Sequence, residues 1–436
     1  MMAILNALKA VFSNASVLVG LIALVGLLAL KKPFEMVVAG TLKTIIGFII
    51  IGGGAGIVVG AVSPLGALFN SVLAIPNAGL PVNEVFTGII QKDAVLGPLV
   101  AWAFLFAFII NILIARFTPW KYIFLTGHHT LFAATLTVGM FSMIPMIAAN
   151  SALLVAISAL ITGIMMVLFP AMSAPFIEKV IGSKDFVMGH FGTISYAGSG
   201  FLGQFVGKPE DSAEKIKFPS WIGFMREPLV AMGFVMLIIF VLVSIIGLGK
   251  GIDVVASLGS SPWWLACFVL ALTFAGGIGV ILLGVRTVLA EIVPAFRGIS
   301  LKIVPDARPA LDCPVVFPYA PNALLIGYLS SIIGGLIAMF LQIAAGGRLG
   351  AVILPSMIIH FFVGGTAGIF GNATGGWKGA VLGGILNGLF FTFLAGFTYT
   401  ALGGLNPAWK GSSFGDTDFG FTGSVLAFLS KMLRGA

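Results

Sequence analysis

The sequence predicts an all-α polytopic membrane protein with about ten or eleven transmembrane helices. Three observations carry that prediction. The 436 residues are 59% hydrophobic and only 9% charged, whereas a soluble domain carries about 25% charged residues. Mean hydropathy is +1.13, and the apolar residues fall into runs long enough to cross about 30 Å of hydrocarbon. Helices follow because open sheet edges are not tolerated in lipid.

The spans are expected at 14–30, 36–62, 94–115, 123–147, 150–170, 228–248, 263–290, 322–345, 350–370 and 380–402, with a shorter apolar piece at 422–434. The first run reads as a span and not as a cleavable signal peptide. The net charge of +8 is explained by topology, because the basic residues sit in short loops; a nucleic-acid partner is not expected. With the N-terminus outside, the inner loops hold sixteen of the 23 Lys and Arg residues and the outer segments five, as the positive-inside rule requires. A lipid membrane is the expected location.

Three segments depart from ordinary spans. Residues 76–93 are broken by Pro76 and Pro81, 186–207 are Gly-rich and semi-polar, and 305–322 contain five prolines. Irregular backbone at membrane depth lines a cavity or is buried in protein, and paired interrupted segments in two halves mark inverted repeats. The first leads to a span and then LTGHHTLF at 125–132; the third leads to a span and then LPSMIIHF at 354–361. The mixed-charge stretch 207–227 is expected to be a solvated cytoplasmic loop.

Ionisable groups inside a membrane are costly, so each is a functional candidate. His128 and His190 each follow a glycine, and Asp312 lies between Leu311 and Cys313. A neutral imidazole offers one donor and one acceptor, suited to a polyol hydroxyl, and takes a proton near neutral pH. A carboxylate orients a hydroxyl; the plainer reading of Asp312 is a helix N-cap. Glu84, Asn83, His129, His360, Arg286 and Glu291 complete the set, with Arg286 and Glu291 read as an ion pair with interface anchors. Gly52 to Gly56 permits close helix contact. There is no phosphate-binding loop, no HExxH and no Cys/His cluster with zinc spacing, so neither cofactor nor metal is expected.

GTLKTIIGF (40–48), LTGH (125–128), Gly189-His190, GKPEDSAEKIKFPSW (207–221), GVRTVLAEIVPAFRGIS (284–300), LDC (311–313), YAPNALLIGY (319–328) and GGWKGA (375–380) occur in order. In combination they resemble the ascorbate-type Enzyme IIC of the bacterial phosphotransferase system over nearly the whole length, and more distantly the galactitol-type Enzyme IIC. The resemblance implies one membrane domain over 1–436, with scaffold (V-motif) and core subdomains interleaved and re-entrant hairpins at 76–93 and 305–322. It also implies a homodimer, elevator-like transport of ascorbate or a related sugar or polyol, and phosphorylation by a phosphocysteine on Enzyme IIB, itself supplied by Enzyme IIA. This chain alone would bind and exchange substrate without phosphorylating it.

On that resemblance the site residues fall on His128, His190 and Asp312, which would orient the acceptor hydroxyl or take its proton. Four positions that are polar in ascorbate-type members appear here as Phe132, Phe191, the Val85-Phe86 pair and Ala55. Losing a partner for a substrate hydroxyl in a dry site costs about 1–3 kcal/mol, so these changes point away from ascorbate toward a pentitol, hexitol or other sugar. Thr87, Thr193, His129, Glu84, Asn83 and Asn322 are the remaining candidate contacts. The rival readings are an H+- or Na+-coupled carbohydrate transporter with Asp312 as its ion site, a membrane enzyme without transport, and a channel.

Overall fold

The computed structural model describes residues 15–73, 79, 81, 83–217, 219–259 and 262–433. Helices dominate, as expected. Seven of them are long and apolar enough to cross a membrane among the described residues. The expectation of ten or eleven separate spans differs for a geometric reason. Gly127–Phe141 (α5) has 15 residues, short of the roughly 20 that a crossing needs, and Ala15–Ala29 (α1) begins at the first described residue. The spans expected at 350–370 and 380–402 meet within Met357–Leu405, but the backbone is non-helical at Gly376 and Gly371 packs on Gly379, so two helices fold back on one another there.

The chain packs as two groups of helices. In the first, α1 lies on Phe34–Leu73 (α2), and α2 runs along Trp263–Ile303 (α9), with Pro228–Gly249 (α8) against both. At 40 and 41 residues, α2 and α9 are each about 60 Å long, roughly twice the hydrocarbon thickness. Their backbones meet at Gly54, where a Cβ would lie 2.7 Å from the Ile281 amide nitrogen. Within the glycine run, Gly54 therefore serves close packing of two membrane helices, whereas Gly52, Gly53 and Gly56 have open space.

The second group contains Asn83–Lys92 (α3), Leu96–Phe117 (α4), α5, Ser151–Ile181 (α6), Thr193–Gly203 (α7), Pro321–Ala344 (α10), Gly365–Leu405 (α11) and Thr417–Leu433 (α12). On α4 the large side chains Trp102, Phe106, Ile109 and Leu113 face outward, while Ala103, Ala107 and Asn111 are buried. This inverts the pattern of a soluble helix and suits lipid outside with small residues at helix contacts. Asn150 caps α6 by accepting from the Ala152 and Leu153 amides, and Gly182 ends it in the left-handed conformation.

Between these helices lies a small sheet that hydropathy did not predict. Tyr122–Phe124 (β1) and Val187–Met188 (β2) both pair in parallel with Arg308–Leu311 (β3), which lies between them. Asn111 supports it from inside α4: its amide donates to the Tyr122 carbonyl and accepts from the Phe124 amide. The sheet is buried in protein, which satisfies its backbone away from lipid.

A second pairing mirrors the first. Ile123 pairs in parallel with Pro309, and Gly79 in parallel with Ile353. The interval from Ile123 to Ile353 equals that from Gly79 to Pro309, so equivalent points of the two halves exchange partners. The halves also repeat in order: a short helical piece (α3, or the 3-10 turns of Cys313–Tyr319), a long helix (α4, α10), a paired strand, and further helices. This is the duplication that the two interrupted segments suggested. Within segment 76–93, residues 76–78, 80 and 82 lie outside the described residues.

The 207–227 loop is less free than its charge suggested. The Ala213 amide donates to Asn372 Oδ1, and Glu214 accepts from the Asn322 and Ala323 amides at the start of α10. It thereby packs against a break in α11 at Gly376, whose φ is 60° and ψ is −155°. A side chain there would also meet the Asp211 and Lys208 carbonyls, so both conformation and space select glycine. Glu291 is ion-paired with Lys43 of α2, at 3.1 Å, and not with Arg286.

Candidate functional site

The sheet explains how distant residues meet. Its three strands are parallel, so their C-terminal ends lie at one edge. β1 leads through Thr126 and Gly127 to His128, β2 through Gly189 to His190, and β3 directly to Asp312. Arg308 anchors the start of β3 by donating to Glu178 at 2.7 Å and to the Phe186 carbonyl. Gly189 is required, because its amide donates to the Leu311 carbonyl at 2.7 Å and a Cβ would collide with the Ala310 carbonyl. Gly127 has open space at the same position.

Asp312 Oδ2 lies 3.8 Å from His128 Nε2, and Oδ1 lies 3.9 Å from His190 Nε2. Both separations exceed a hydrogen bond and suit a bridging hydroxyl or water. The orientation of each group is fixed from behind. Asp312 Oδ1 accepts from the Cys313 amide at 2.7 Å, capping the turns of Cys313–Tyr319. His190 Nδ1 is bonded to the Tyr196 hydroxyl at 2.9 Å. The capping and site-forming readings of Asp312 are therefore compatible.

These groups line a chamber of about 70 Å³ together with Asn83, His129, Phe132, Asp416, Ile358, Ile359 and Phe362. Ile278, Ile281 and Leu282 of α9 close it, so the chamber lies where the two helix groups meet. Beside it is a larger, mostly apolar cavity of about 340 Å³, which shares Asp312, Leu282 and Phe362 as walls and reaches Arg286.

The other candidates separate into two sets. Asn83, His129 and Phe132 line the chamber. Phe191 packs away from it against Phe124, Phe169 and Phe419, and Phe86 packs against Trp409 and Phe414. Thr87 and Thr193 return their hydroxyls to the Asn83 and His190 carbonyls. Asn322 holds the 207–217 loop through the Ala213 and Ile216 carbonyls. The Ala55 and Glu84 side chains lie outside the described residues, and His360 is bonded to Ser331 instead.

Sequence reading missed Tyr196, Asp416 and Asp418. Asp418 is fully buried and accepts from the Thr193 and Ile194 amides, fixing the first turn of α7 just after His190. The available signal was the GDTDFG stretch at 415–420, two carboxylates beside an apolar run. His128, His129 and Asp312 also bring ligand atoms within 4.8 Å of one another, a donor set compatible with a divalent cation.

A family model described as the sugar-specific permease component of the PTS system, EIIC-GAT, matches residues 10–421. The chain is 28% identical over 414 residues to a Mycoplasma pneumoniae protein named as an ascorbate-specific PTS system EIIC component. That alignment covers 84% of this chain and 62% of the relative, so the chain spans less than two thirds of the relative's length. The apolar helices and the family match agree on a multi-pass membrane protein. The chain belongs to the EIIC-GAT family of PTS sugar-specific permease components.

Proposed function

We propose that the chain binds a sugar or polyol at Asp312, His128 and His190, carries it inward, and presents it for phosphorylation by a separate Enzyme IIB. The observation that carries this reading is the convergence of one carboxylate and two imidazoles at the ends of three parallel strands, separated by gaps that suit a hydroxyl. Movement of the site-bearing helices past the α2–α9 group, which serves as a scaffold in a homodimer, would expose the chamber to each side in turn. The N-terminus would face outward.

Inside, the substrate hydroxyl oxygen attacks phosphorus of the Enzyme IIB phosphocysteine. An O–P bond forms, the S–P bond breaks, and the cysteine leaves as thiolate for recharging by Enzyme IIA. The hydroxyl proton passes to His128, His190 or Asp312 and then to water. The protein's contribution is mainly positioning, because phosphoryl transfer leaves it little covalent chemistry. The product is an anion and cannot return through an apolar membrane.

Reconstitution in vesicles with Enzyme IIB and phosphorylated Enzyme IIA tests this. Phosphorylated sugar should accumulate, and Asp312→Asn should reduce saturable sugar binding about 100-fold, the loss of a charge-assisted hydrogen-bond set. Accumulation of unmodified sugar in step with an imposed H+ or Na+ gradient would establish a coupled secondary transporter instead.

A further inference from the structure

The larger cavity carries a charge that the chamber lacks. Asp312, Leu282 and Phe362 are walls of both spaces, so the two adjoin at the carboxyl group. Arg286 follows Leu282 by one turn on the same face of α9 and lines the larger cavity. Among the described residues it is the only lysine or arginine on either space. It is also unclaimed. Glu291, its expected partner, pairs with Lys43 at 3.1 Å, and no ion pair among the described residues includes Arg286.

Its direction from the chamber matters as well. Beyond Arg286, α9 continues to Ile303, and Val304 then packs on Ala115 and Ile123. These neighbour Arg116 and Lys121, and the Lys121 carbonyl accepts from the Arg308 amide at the start of the sheet. This end of the protein is strongly basic, which marks a cytoplasmic side. The larger cavity thus leads from Asp312 toward the side from which Enzyme IIB approaches.

We infer that Arg286 is a catalytic residue that binds the phosphoryl group during its transfer to a hydroxyl held at Asp312, and that the larger cavity is the space this group enters. The inference rests on the reading of the chamber as a sugar site served by a phosphocysteine. A phosphoryl group carries about two negative charges and must approach the Asp312 carboxyl group past apolar walls that include Pro314, Val315, Phe317 and Phe361. Like charges repel strongly where little water screens them. A guanidinium offsets that repulsion and meets phosphate oxygens with paired N–H donors. In the transfer, the hydroxyl oxygen forms the O–P bond, the S–P bond breaks, and the cysteine leaves as thiolate. The hydroxyl proton goes to Asp312 or an imidazole and on to water, while Arg286 keeps its protons throughout. Because Arg286 belongs to α9 and Asp312 to the other helix group, the two meet only where the site lies against this part of α9. Phosphoryl transfer is thereby tied to one position of the moving group.

Steady-state phosphorylation by the full-length protein in vesicles, with saturating Enzyme IIB and phosphorylated Enzyme IIA, tests the inference. Labelled L-ascorbate, galactitol and xylitol are the probes. Arg286→Gln should lower kcat about 100-fold, the loss of one oriented charge on a transferring phosphoryl group. Its sugar KM and equilibrium sugar binding should stay within about twofold of wild type. Arg286→Lys, which keeps the charge without the paired donors, should recover about tenfold of that loss. Thermal unfolding of each variant verifies that it is folded. Wild-type kcat in Arg286→Gln overturns the inference and leaves the transport reading standing. So does a fall in sugar binding or in unfolding temperature that accounts for the whole loss, which would assign Arg286 a structural role such as a lipid-headgroup anchor. Absence of phosphorylated product from the wild type with every probe overturns the inference and the phosphotransferase reading together.

Discussion

The two helix groups solve the membrane problem in opposite ways. The α2–α9 group uses long helices whose large apolar side chains, such as Leu42, Ile46, Ile49, Phe268 and Leu272, face outward. Its buried polar groups are modest: Thr44 returns its hydroxyl to the Gly40 carbonyl, and Ser244 lies against Cys267. The site-bearing group buries His129, His190, Asp312, Asp416 and Asp418, and it interrupts its helices with strands, 3-10 turns and the break at Gly376. Every exposed backbone group in lipid must be satisfied within its own helix, whereas a segment enclosed by protein can draw partners from elsewhere. Among the described residues the strands and the break at Gly376, and with them the polar chamber, lie in the enclosed group.

If that contrast governs the protein, substitutions at the enclosed polar network should cost far more than those between the long helices. The largest effect on stability is expected for Asp418→Ala. It leaves the Thr193 and Ile194 amides without their acceptor, at about 1–3 kcal/mol for each buried donor, and should be visible as a clear drop in unfolding temperature. Retained wild-type stability would show that α7 does not depend on this cap.

Next comes Gly376→Ala. A Cβ in the left-handed conformation, facing the Asp211 and Lys208 carbonyls, should cost about 1–3 kcal/mol. It should also loosen the 207–217 loop, which limited proteolysis would detect as faster cleavage there. Unchanged cleavage would separate the helix break from loop docking.

A smaller effect is expected for Tyr196→Phe, which removes the 2.9 Å hydrogen bond to His190. The change is worth about 1 kcal/mol and should weaken sugar binding roughly fivefold while leaving unfolding nearly unchanged. The smallest belongs to the other group. Lys43→Ala breaks the pair with Glu291, in which the lysine side chain is 60% exposed; such pairs are worth about 1 kcal/mol or less. Sugar binding should be unaltered. A large loss of binding would contradict the assignment of this pair to scaffolding alone.

Particular elements show how far the sequence can be read. LTGH, Gly189-His190 and LDC were singled out as intramembrane ionisable groups, and the structure places His128, His190 and Asp312 around one gap. Phe132 also proved to face that gap, but Phe191 and Phe86 did not. The sequence pattern could not tell these apart, because an aromatic residue that replaces a polar one can either line a chamber or fill the protein beside it. Asp416 and Asp418 precede a short apolar run and match no spacing rule, so sequence patterning does not mark them.

The sequence by itself determined that the chain is helical and membrane-embedded, where most of its apolar runs lie, and which few ionisable residues merit attention. Those properties are local: they follow from hydropathy, proline content and the cost of charge in lipid. Tertiary structure alone decided that β1, β2 and β3 form a parallel sheet whose C-terminal ends gather His128, His190 and Asp312. It also decided that residues near the end of the chain complete the chamber opposite Asn83 and His129. Strands of two to four residues carry almost no periodic signal, and contacts between positions hundreds of residues apart leave no mark on local composition.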